Sequence, residues 1–540
     1  MAELPPSIKG HGAEPKGDPL VFFLPHMLIF ASSACIMVVE LVAGRLIARH
    51  LGCSLYTWTS IIGVVLAGMS VGNMVGGRLA DRFTPRRILG GLFFAASVSC
   101  MVTLLLNGLF AEHSPLMGFS WPARVLGTVI LVFFLPAVIL GTISPATAKM
   151  ALEGSEAVGR TIGSVYAWGA VGSIVGTMAT GFWLIAWLGA QGVVLGTALV
   201  LGLVALLLGP RRIFLGLWLC VLVGLLALPG VPSVRAHQVA DALGLKEARG
   251  EKVLFGQDSH YQFIKVYRER VVDRDHPSRS RDLRVLALDH LVHGYIDPSD
   301  PSYLHYEYER VYRDVVRAFM GERRKITAFF IGGGAYTFPR WVLAHYPGSA
   351  IDVAEIDPLV VEANYQALGL PRDTPIRTFA LDARNAVDDL PTKRRYDLIF
   401  GDAFNDLSVP FHLVTLEFSR QLATHLSRRG VYLVNVIDDF SSGLLLCSFI
   451  TTLQRVFPHV YVFSTSRWGV SGGRDTFVVA ASWRALDEQG WETGHEGGPY
   501  GSLFSPEDRR TLMSQCKGRV LTDFDAPVEN LLQPVVRKRP

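Results

Sequence analysis

The chain has 540 residues, of which 50% are hydrophobic and 18% are charged, and it contains 53 glycines. It is too long for one ordinary domain and too apolar for a wholly soluble protein. Residues 1–230 hold 13 Lys or Arg and 8 Asp or Glu, whereas the remaining 310 residues hold 38 and 39. This composition excludes a disordered, collagen-like or coiled-coil chain, and the scattered basic loops give no indication of nucleic-acid binding. It predicts a membrane domain followed by a soluble domain.

A polar N-terminal tail at 1–19 precedes a predicted all-α transmembrane domain at 20–230. Crossing about 30 Å of hydrocarbon takes roughly 20 apolar residues, and seven runs are long enough: 20–44, 55–77, 88–110, 125–148, 161–188, 190–209 and 212–229. Lys and Arg alternate between the loops, with ten on the side of the N-terminus and three on the other side. The positive-inside rule therefore places the N-terminus in the cytoplasm of a multi-pass cell (inner) membrane protein. Seven spans would leave the soluble domain outside, and one missed or re-entrant span would reverse this.

Two short motifs lie in this half. Gly72 and Gly76 form one GxxxG spacing and Gly172 and Gly176 form another, and both predict close helix–helix contacts in a membrane. The segment 77–87 (Gly-Arg-Leu-Ala-Asp-Arg-Phe-Thr-Pro-Arg-Arg) is similar to the loop between the second and third helices of major facilitator transporters. Seven spans are fewer than the twelve of that fold, so the similarity is confined to the loop.

The soluble half alternates strand and helix patterns. We predict a linker and small β subdomain at 231–300, a Rossmann-like α/β domain at 301–484, and a C-terminal tail at 485–540. Such alternation favours a doubly wound, mainly parallel sheet with its site at the carboxyl ends of the strands. The predicted strands lie at 263–267, 283–288, 326–331, 350–355, 396–402, 430–437, 459–464 and 475–481, and a helix is predicted at 306–319.

A nucleoside pocket is predicted at two of these strand ends. Gly332, Gly333 and Gly334 directly follow the strand at 326–331, where small residues let the backbone approach a ligand. Glu355 ends the next strand, 22 residues after Gly333, at the position of an acid that binds a ribose diol. The glycines lack the GxxG continuation of the dinucleotide fingerprint, which disfavours NAD.

The six cysteines do not predict a metal site. They contain no CxxC pair and are too few for a disulfide framework. Cys447 and Cys516 are the only two in the soluble half, and their spacing leaves open whether they pair. No metal is expected.

Six short motifs follow one another along the soluble half: Tyr261-Gln262, Leu286-Ala-Leu-Asp289, Ile331-Gly-Gly-Gly334, Glu355-Ile-Asp357, Leu381-Asp382-Ala383 and Gly401-Asp402-Ala403. They occur in the order found in spermidine synthases (polyamine aminopropyltransferases), including a bacterial subgroup with an N-terminal multi-span domain. The chain resembles this family over about 253–484. The resemblance implies that Gln262 and Glu355 hold the methionine-derived part and the ribose of S-adenosylmethionine or its decarboxylated form. It also implies that Asp382, followed by Ala383, receives the adenine amino group, and that Asp402 removes a proton from an attacking amine.

The chain departs from the family pattern on the acceptor side. The family has an Asp after the glycines where this chain has Ala335, and a second loop acid where it has Asn405. A buried ammonium without a partner is costly, so other groups must serve a polyamine. The candidates are Glu307 and His293 as catalytic-side residues, with His290, His305 and the pair Asp438-Asp439 as further candidates.

These observations predict a membrane-bound transferase that releases methylthioadenosine. Its acceptor would be a small amine or a membrane-derived amine, or it would need no acceptor and act as a cyclase or lyase. Two alternatives stay open: methyl transfer from S-adenosylmethionine to a lipid or membrane solute, and a non-catalytic transport or sensing protein that binds a nucleoside. The family resemblance makes a homo-oligomer plausible, and the acidic segment 521–530 is a candidate lid over the site. Cytosolic supply of S-adenosylmethionine favours a cytoplasmic soluble domain, against the charge count.

Overall fold

A computed structural model describes residues 19–218 and 252–537, with gaps at 53, 113–115, 117–118, 154, 156, 211–212, 216, 277, 404–408, 467–472, 489–490, 492–499 and 517. The N-terminal part is a bundle of helices. Its helices are α1 (Pro19–Leu51), α2 (Leu55–Arg82), α3 (Pro85–Glu112), α4 (Trp121–Val129), α5 (Leu135–Leu152), α6 (Val158–Ala179) and α7 (Ile185–Leu208). Single π-helical turns join α4 to α5 and α6 to α7.

The described residues contain five helices that are long and apolar enough to cross a membrane, where the sequence predicts seven spans. The last of them, Val158–Leu208, covers two predicted spans without a loop. Its backbone turns left-handed at Gly189 (φ 68°), the residue that separates the predicted spans 161–188 and 190–209. This kink divides the stretch into two helical segments, which correspond to the predicted spans 161–188 and 190–209. The seventh predicted span, 212–229, lies almost wholly outside the described residues.

Both GxxxG motifs lie at helix crossings, as predicted. Gly72 and Gly76 of α2 face the backbone of α5, and Gly172 and Gly176 of α6 face the backbone of α1. A Cβ atom at any of the four would lie 2.2 to 2.5 Å from a carbonyl oxygen of the facing helix. Only glycine permits this approach, so the two motifs determine how α2 meets α5 and how α6 meets α1.

The soluble part contains two sheets, which confirms the predicted Rossmann-like domain and the small β subdomain before it. An antiparallel sheet is formed by β1 (Lys252–Asp258), β2 (Phe263–Val272), β3 (Ser280–Leu288) and β4 (Leu291–Ile296). The larger sheet has the order β12-β10-β11-β9-β8-β5-β6-β7. Its strands are β5 (Thr327–Ile331), β6 (Ala350–Ala354), β7 (Ile376–Phe379), β8 (Tyr396–Gly401), β9 (Leu426–Asp439), β10 (His459–Ser464), β11 (Arg474–Ser482) and β12 (Ser502–Leu503).

Strands β5 to β9 are parallel, whereas β10, β11 and β12 join antiparallel to one another and to β9. Helices cover both faces of this sheet, so its central strands are continuous apolar runs. The carboxyl ends of β5, β6 and β8 meet at one edge. The helices are α8 (Glu307–Met320), α9 (Thr337–His345), α10 (Pro358–Ala363), α11 (Ala383–Asp388), α12 (Leu416–His425), α13 (Leu444–Gln454), α14 (Pro506–Met513) and α15 (Val528–Arg537).

The C-terminal residues belong to the core of the α/β domain rather than to a separate tail. Leu521, Val528 and Leu532 are buried in the same apolar cluster as the sheet. A disulfide between Cys447 on α13 and Cys516 after α14 holds this segment to the domain. The predicted domain boundary at 484 therefore moves to the end of the described chain, because these apolar side chains complete one face of the sheet.

The soluble domain rests on one end of the helix bundle. Asp258 at the end of β1 pairs with Arg49 near the end of α1 at 2.6 Å, and it accepts a hydrogen bond from Ala190 N, next to the kink in the long helix, at 2.9 Å. From the other side of the domain, Gln533 on α15 donates to the hydroxyl of Tyr56 at 3.1 Å. These contacts lie at the ends of the helices that are opposite to the basic loops 78–87 and 149–160.

Candidate active site

The glycine turn after β5 is hydrogen-bonded to the acid after β6. Gly332 and Gly334 have left-handed backbones (φ 94° and 50°), and a Cβ atom at Gly332 would lie 2.4 Å from the carbonyl oxygen of Asp402. The amides of Gly333 and Gly334 donate to Oε2 of Glu355 at 2.8 and 3.3 Å. Burial raises the pKa of the Glu355 carboxyl, which these backbone hydrogen bonds oppose. The turn and the acid therefore form one rigid unit.

Gln262 joins this unit from the small β subdomain. It is buried, and its backbone closes a turn with Ser259. The Ser259 hydroxyl donates to Asp357, two residues after Glu355, at 2.5 Å. This contact positions Gln262 beside the strand ends, where the resemblance places it.

Asp382 lies at the start of α11, on the opposite flank of the site. Its Oδ1 caps the helix by accepting from the amides of Arg384 and Asn385, and its Oδ2 lies 2.9 Å from Nε2 of His412. Ala383 is buried behind it. His412 was not predicted, and it holds the carboxylate of Asp382 in place from a short helix outside the family motifs.

Exposed apolar side chains adjoin these polar groups in the chain. Ile356 follows Glu355, Leu381 precedes Asp382, and Phe411 precedes His412, with exposed fractions of 41%, 41% and 51%. Large exposed apolar groups beside buried acids provide a surface on which a flat ring can pack. The arrangement suits a purine nucleoside.

Asp402 ends β8 next to the glycine turn. The Tyr308 hydroxyl donates to its Oδ2 at 3.3 Å, and the Asn435 side chain also donates to it. Burial raises the pKa of the Asp402 carboxyl to about 6, and the two hydrogen bonds oppose this rise. A carboxylate with this pKa is suited to act as a general base near neutral pH.

Two cavities meet beside Asp402. A narrow one of about 40 Å³ is lined by Asp402, Glu309 and the glycine turn, and a wider one of about 680 Å³ is lined by Glu307 and Asn435. His293 and Tyr308 line both. The strand ends thus combine the glycine turn, the acids Glu355 and Asp402, and a chamber large enough for a second molecule.

The predicted acceptor-side residues fall into two groups. His293 and Glu307 line the wide cavity, with Glu307 paired to Arg274. His305 is buried against Tyr295, outside both cavities, and burial lowers the pKa of its imidazole to about 4. His290 lies in the β3–β4 turn, facing the bundle close to the end of α1.

The pair after β9 has a structural role. Asp438 accepts from the amides of Asp439 and Leu446, and Asp439 accepts from the amide of Ser441, so both stabilise the turn into α13. Neither lines either cavity. The hypothesis that they replace the family's missing acids is therefore wrong, because their oxygens are directed to the backbone. Asn405 lies outside the described residues.

Tyr308, Glu309 and Asn435 are among the residues that line the cavities and were not predicted. Tyr308 and Glu309 lie on α8. The helical pattern there predicts which face of the helix is buried, but not which of its side chains line a cavity. Oδ1 of Asn435 is buried, and it has no hydrogen-bond partner among the residues that the structure describes. Its amide nitrogen donates to Asp402, so the vacant oxygen can accept from a ligand.

No family model matches the chain. A polyamine aminopropyltransferase from Vibrio vulnificus is 31% identical over 254 residues, which cover 44% of this chain and 79% of that protein. Polyamine aminopropyltransferase 2 from Ralstonia nicotianae is 24% identical over 496 residues, covering 85% of this chain and 87% of that protein, so the similarity extends into the helical half. A probable spermidine synthase structure from Corynebacterium glutamicum superposes with a TM-score of 0.42 at 21% identity, covering 50% of this chain and 96% of that one. The chain belongs to the polyamine aminopropyltransferase family and is a transferase of that kind.

Proposed function

We propose that the chain is an integral membrane enzyme that transfers the propylamine group of decarboxylated S-adenosylmethionine to a small amine. The observation that carries the proposal is the carboxylate of Asp402, which lies beside the glycine turn and adjoins the wide cavity through Tyr308. A base in that position serves transfer to an amine, which must lose a proton, better than nucleoside binding alone.

In this proposal the donor's nucleoside lies along the strand ends. Glu355 accepts from the ribose hydroxyls, Asp382 accepts from the adenine amino group, and Gln262 contacts the methionine-derived chain. The glycine turn (Gly332, Gly333 and Gly334) lets the backbone approach the donor closely, since a side chain at Gly332 would collide with Asp402. Ala383 packs behind the adenine site.

The reaction follows from these positions. The acceptor amine, neutral and held in the wide cavity, attacks the propyl carbon attached to the sulfonium. A C–N bond forms as the C–S bond breaks, and the electron pair goes to sulfur, which leaves as the neutral thioether of methylthioadenosine. Asp402 takes the proton released from nitrogen, while Oδ1 of Asn435 accepts a hydrogen bond from the amine and orients its lone pair. His293 and Glu307 line the acceptor chamber.

The wide cavity supports transfer to an amine over acceptor-free chemistry. A cyclase or lyase would need room only for the donor, whereas about 680 Å³ adjoins the narrow cavity beside Asp402. The acceptor is a soluble diamine or a membrane-derived amine, and both would reach this chamber.

The test is mass spectrometry of the purified full chain incubated with the decarboxylated donor or with S-adenosylmethionine, each with and without putrescine. We expect methylthioadenosine that depends on the amine, and loss of turnover in Asp402→Asn with methylthioadenosine binding retained. Amine-independent methylthioadenosine would instead establish a lyase or cyclase, and S-adenosylhomocysteine would establish a methyltransferase. Binding without any product would support the transport or sensing alternative.

We further propose that the soluble domain lies on the outer side of the membrane. Ten Lys or Arg occupy the loops at one end of the bundle and three occupy the other, and the contacts of Arg49 and Gln533 place the soluble domain at the second end. The positive-inside rule makes the basic end cytoplasmic.

The cysteines support the same side independently. Cys447 and Cys516 form a disulfide, and disulfides persist in oxidising compartments outside the cytoplasm. The decarboxylated donor would then have to reach the outer face of the membrane. The helical half would supply the donor to the soluble domain or capture it there.

Reporter fusions after residue 235 test this placement, with a fusion after residue 155 in a basic loop as the matched control. We expect alkaline phosphatase to be active at 235 and inactive at 155. Activity only at 155 would place the soluble domain in the cytoplasm and overturn the proposal.

A further inference from the structure

The buried carboxylate of Glu309 shares the narrow cavity with Asp402. The family pattern has an acid directly after the glycines, but this chain has Ala335 there, which is 2% exposed and packed in an apolar cluster with Val360 and Ala363. A Cβ atom at the neighbouring Gly294 would lie 2.5 Å from that of Ala335. Ala335 therefore supplies no charge to the cavity that it lines, and any cation there must find its partner elsewhere.

Glu309 occupies the cavity from the other side. It is the third residue of α8, is 4% exposed, and lines the cavity together with Asp402 and Thr337. Its Oε2 accepts from the amide of Tyr306 at 3.3 Å, which caps the helix and orients the side chain inward.

The charge of this carboxylate is only partly compensated by its neighbour in the chain. Arg310 acts on it without a hydrogen bond, because its guanidinium donates to Asp275 and to the carbonyl of Leu304. Among the described residues, no Lys or Arg lines the narrow cavity, although His293 does. Two acids thus face a small space without a Lys or Arg among the described residues, an arrangement that costs free energy until a cation enters.

We infer that Glu309 binds the ammonium group of the donor's propylamine chain, in place of the acid that Ala335 lacks. The inference rests on the proposed function, because it assumes that the nucleoside lies along Glu355 and Asp382. The propylamine chain then extends from the sulfonium past Asp402 into the narrow cavity, where Glu309 pairs with its terminal nitrogen.

This placement also determines which donor is used. Intact S-adenosylmethionine carries a carboxylate next to its ammonium group, and that carboxylate would enter a cavity that already contains two acids. Like charges at close range repel strongly where water is excluded. Glu309 and Asp402 together therefore select the decarboxylated donor.

Calorimetric binding of three ligands to the full chain tests the role of Glu309: the decarboxylated donor, S-adenosylmethionine and methylthioadenosine, which lacks the propylamine. In Glu309→Gln, which retains the cap on Tyr306, we expect the donor to bind about 10- to 100-fold more weakly, as for the loss of a charged hydrogen bond, with methylthioadenosine unchanged. Glu362→Gln, an exposed ion-paired acid on α10, is the matched control and should leave all three affinities unchanged.

The outcomes separate the two claims. Equal weakening of the donor and methylthioadenosine in Glu309→Gln would show a structural role, and an unchanged donor affinity would show no role; either overturns the inference. Failure of the unmodified chain to bind methylthioadenosine would overturn the proposed function itself.

Discussion

Replacing Tyr308 with Phe should move the pH dependence of turnover without removing the base. Burial raises the pKa of Asp402 to about 6, and the Tyr308 hydroxyl lowers it by a 3.3 Å hydrogen bond to the carboxylate. A hydrogen bond to a charged group is worth about 1.5–3 kcal/mol, and about 1.4 kcal/mol corresponds to one pH unit. Because this bond is long, we take the lower end and expect the pKa of Asp402 to rise by about one pH unit in the variant.

The sign of the effect follows from the role of the carboxylate. A base acts in its deprotonated form, so kcat/KM is full above the pKa and falls as the pH drops through it. With pKa values of about 6 and about 7, the variant should lose roughly fivefold in kcat/KM near pH 6 and almost nothing near pH 8. The assay is methylthioadenosine release at saturating acceptor across that pH range.

A matched control separates this effect from damage to the fold. Tyr346→Phe changes a buried tyrosine that lies in the core away from both cavities, and it should leave the pH profile in place. An equal loss at both ends of the pH range in Tyr308→Phe, or an acid limb that does not move, would refute the assignment of Asp402 as the base.

Three further outcomes follow from the structure. Burial and the nearby Asp402 raise the pKa of Glu309 to about 8, so a bound ammonium should displace a proton. Donor affinity measured by calorimetry should therefore rise roughly tenfold for each unit by which the pH increases towards that value. A donor affinity that does not change with pH would contradict this. Gly172→Leu should prevent the close packing of α6 on α1 and lower the melting temperature in detergent, whereas Gly163→Leu, whose Cβ meets nothing within 4 Å, should not. Replacing both Cys447 and Cys516, which lie 69 residues apart, with Ser should lower the free energy of unfolding by about 2–4 kcal/mol in denaturant titrations; an unchanged value would argue against the disulfide.

Much of the site could be predicted from the sequence because its chemistry is local. Gly332, Gly333 and Gly334 directly follow an apolar strand, and Glu355 ends the next one, so the backbone itself places them at one edge of a parallel sheet. Asp402 and Asp382 also end or follow short strands. The long apolar helices could be predicted for a similar reason, since hydrophobic length is a property of contiguous residues.

The acceptor side required the tertiary structure. On a helix, neighbouring residues face different directions, so which of Glu307 and Glu309 reaches the narrow cavity depends on how α8 packs against the sheet. The same holds for Asp438, the next-to-last residue of β9, and Asp402, which directly follows β8. The carboxylate of Asp438 caps the turn after its strand, whereas Asp402 lines the narrow cavity.

The sequence by itself thus determined that long apolar helices precede an α/β domain with a glycine turn and acids at its strand ends, because apolar length and strand-end motifs are properties of contiguous residues. Only the tertiary structure decided that Cys447 meets Cys516, that Glu309 joins Asp402 in one cavity, and that the soluble domain contacts Arg49. These pairings join residues far apart in the chain, and their free energy comes from packing that no local pattern specifies.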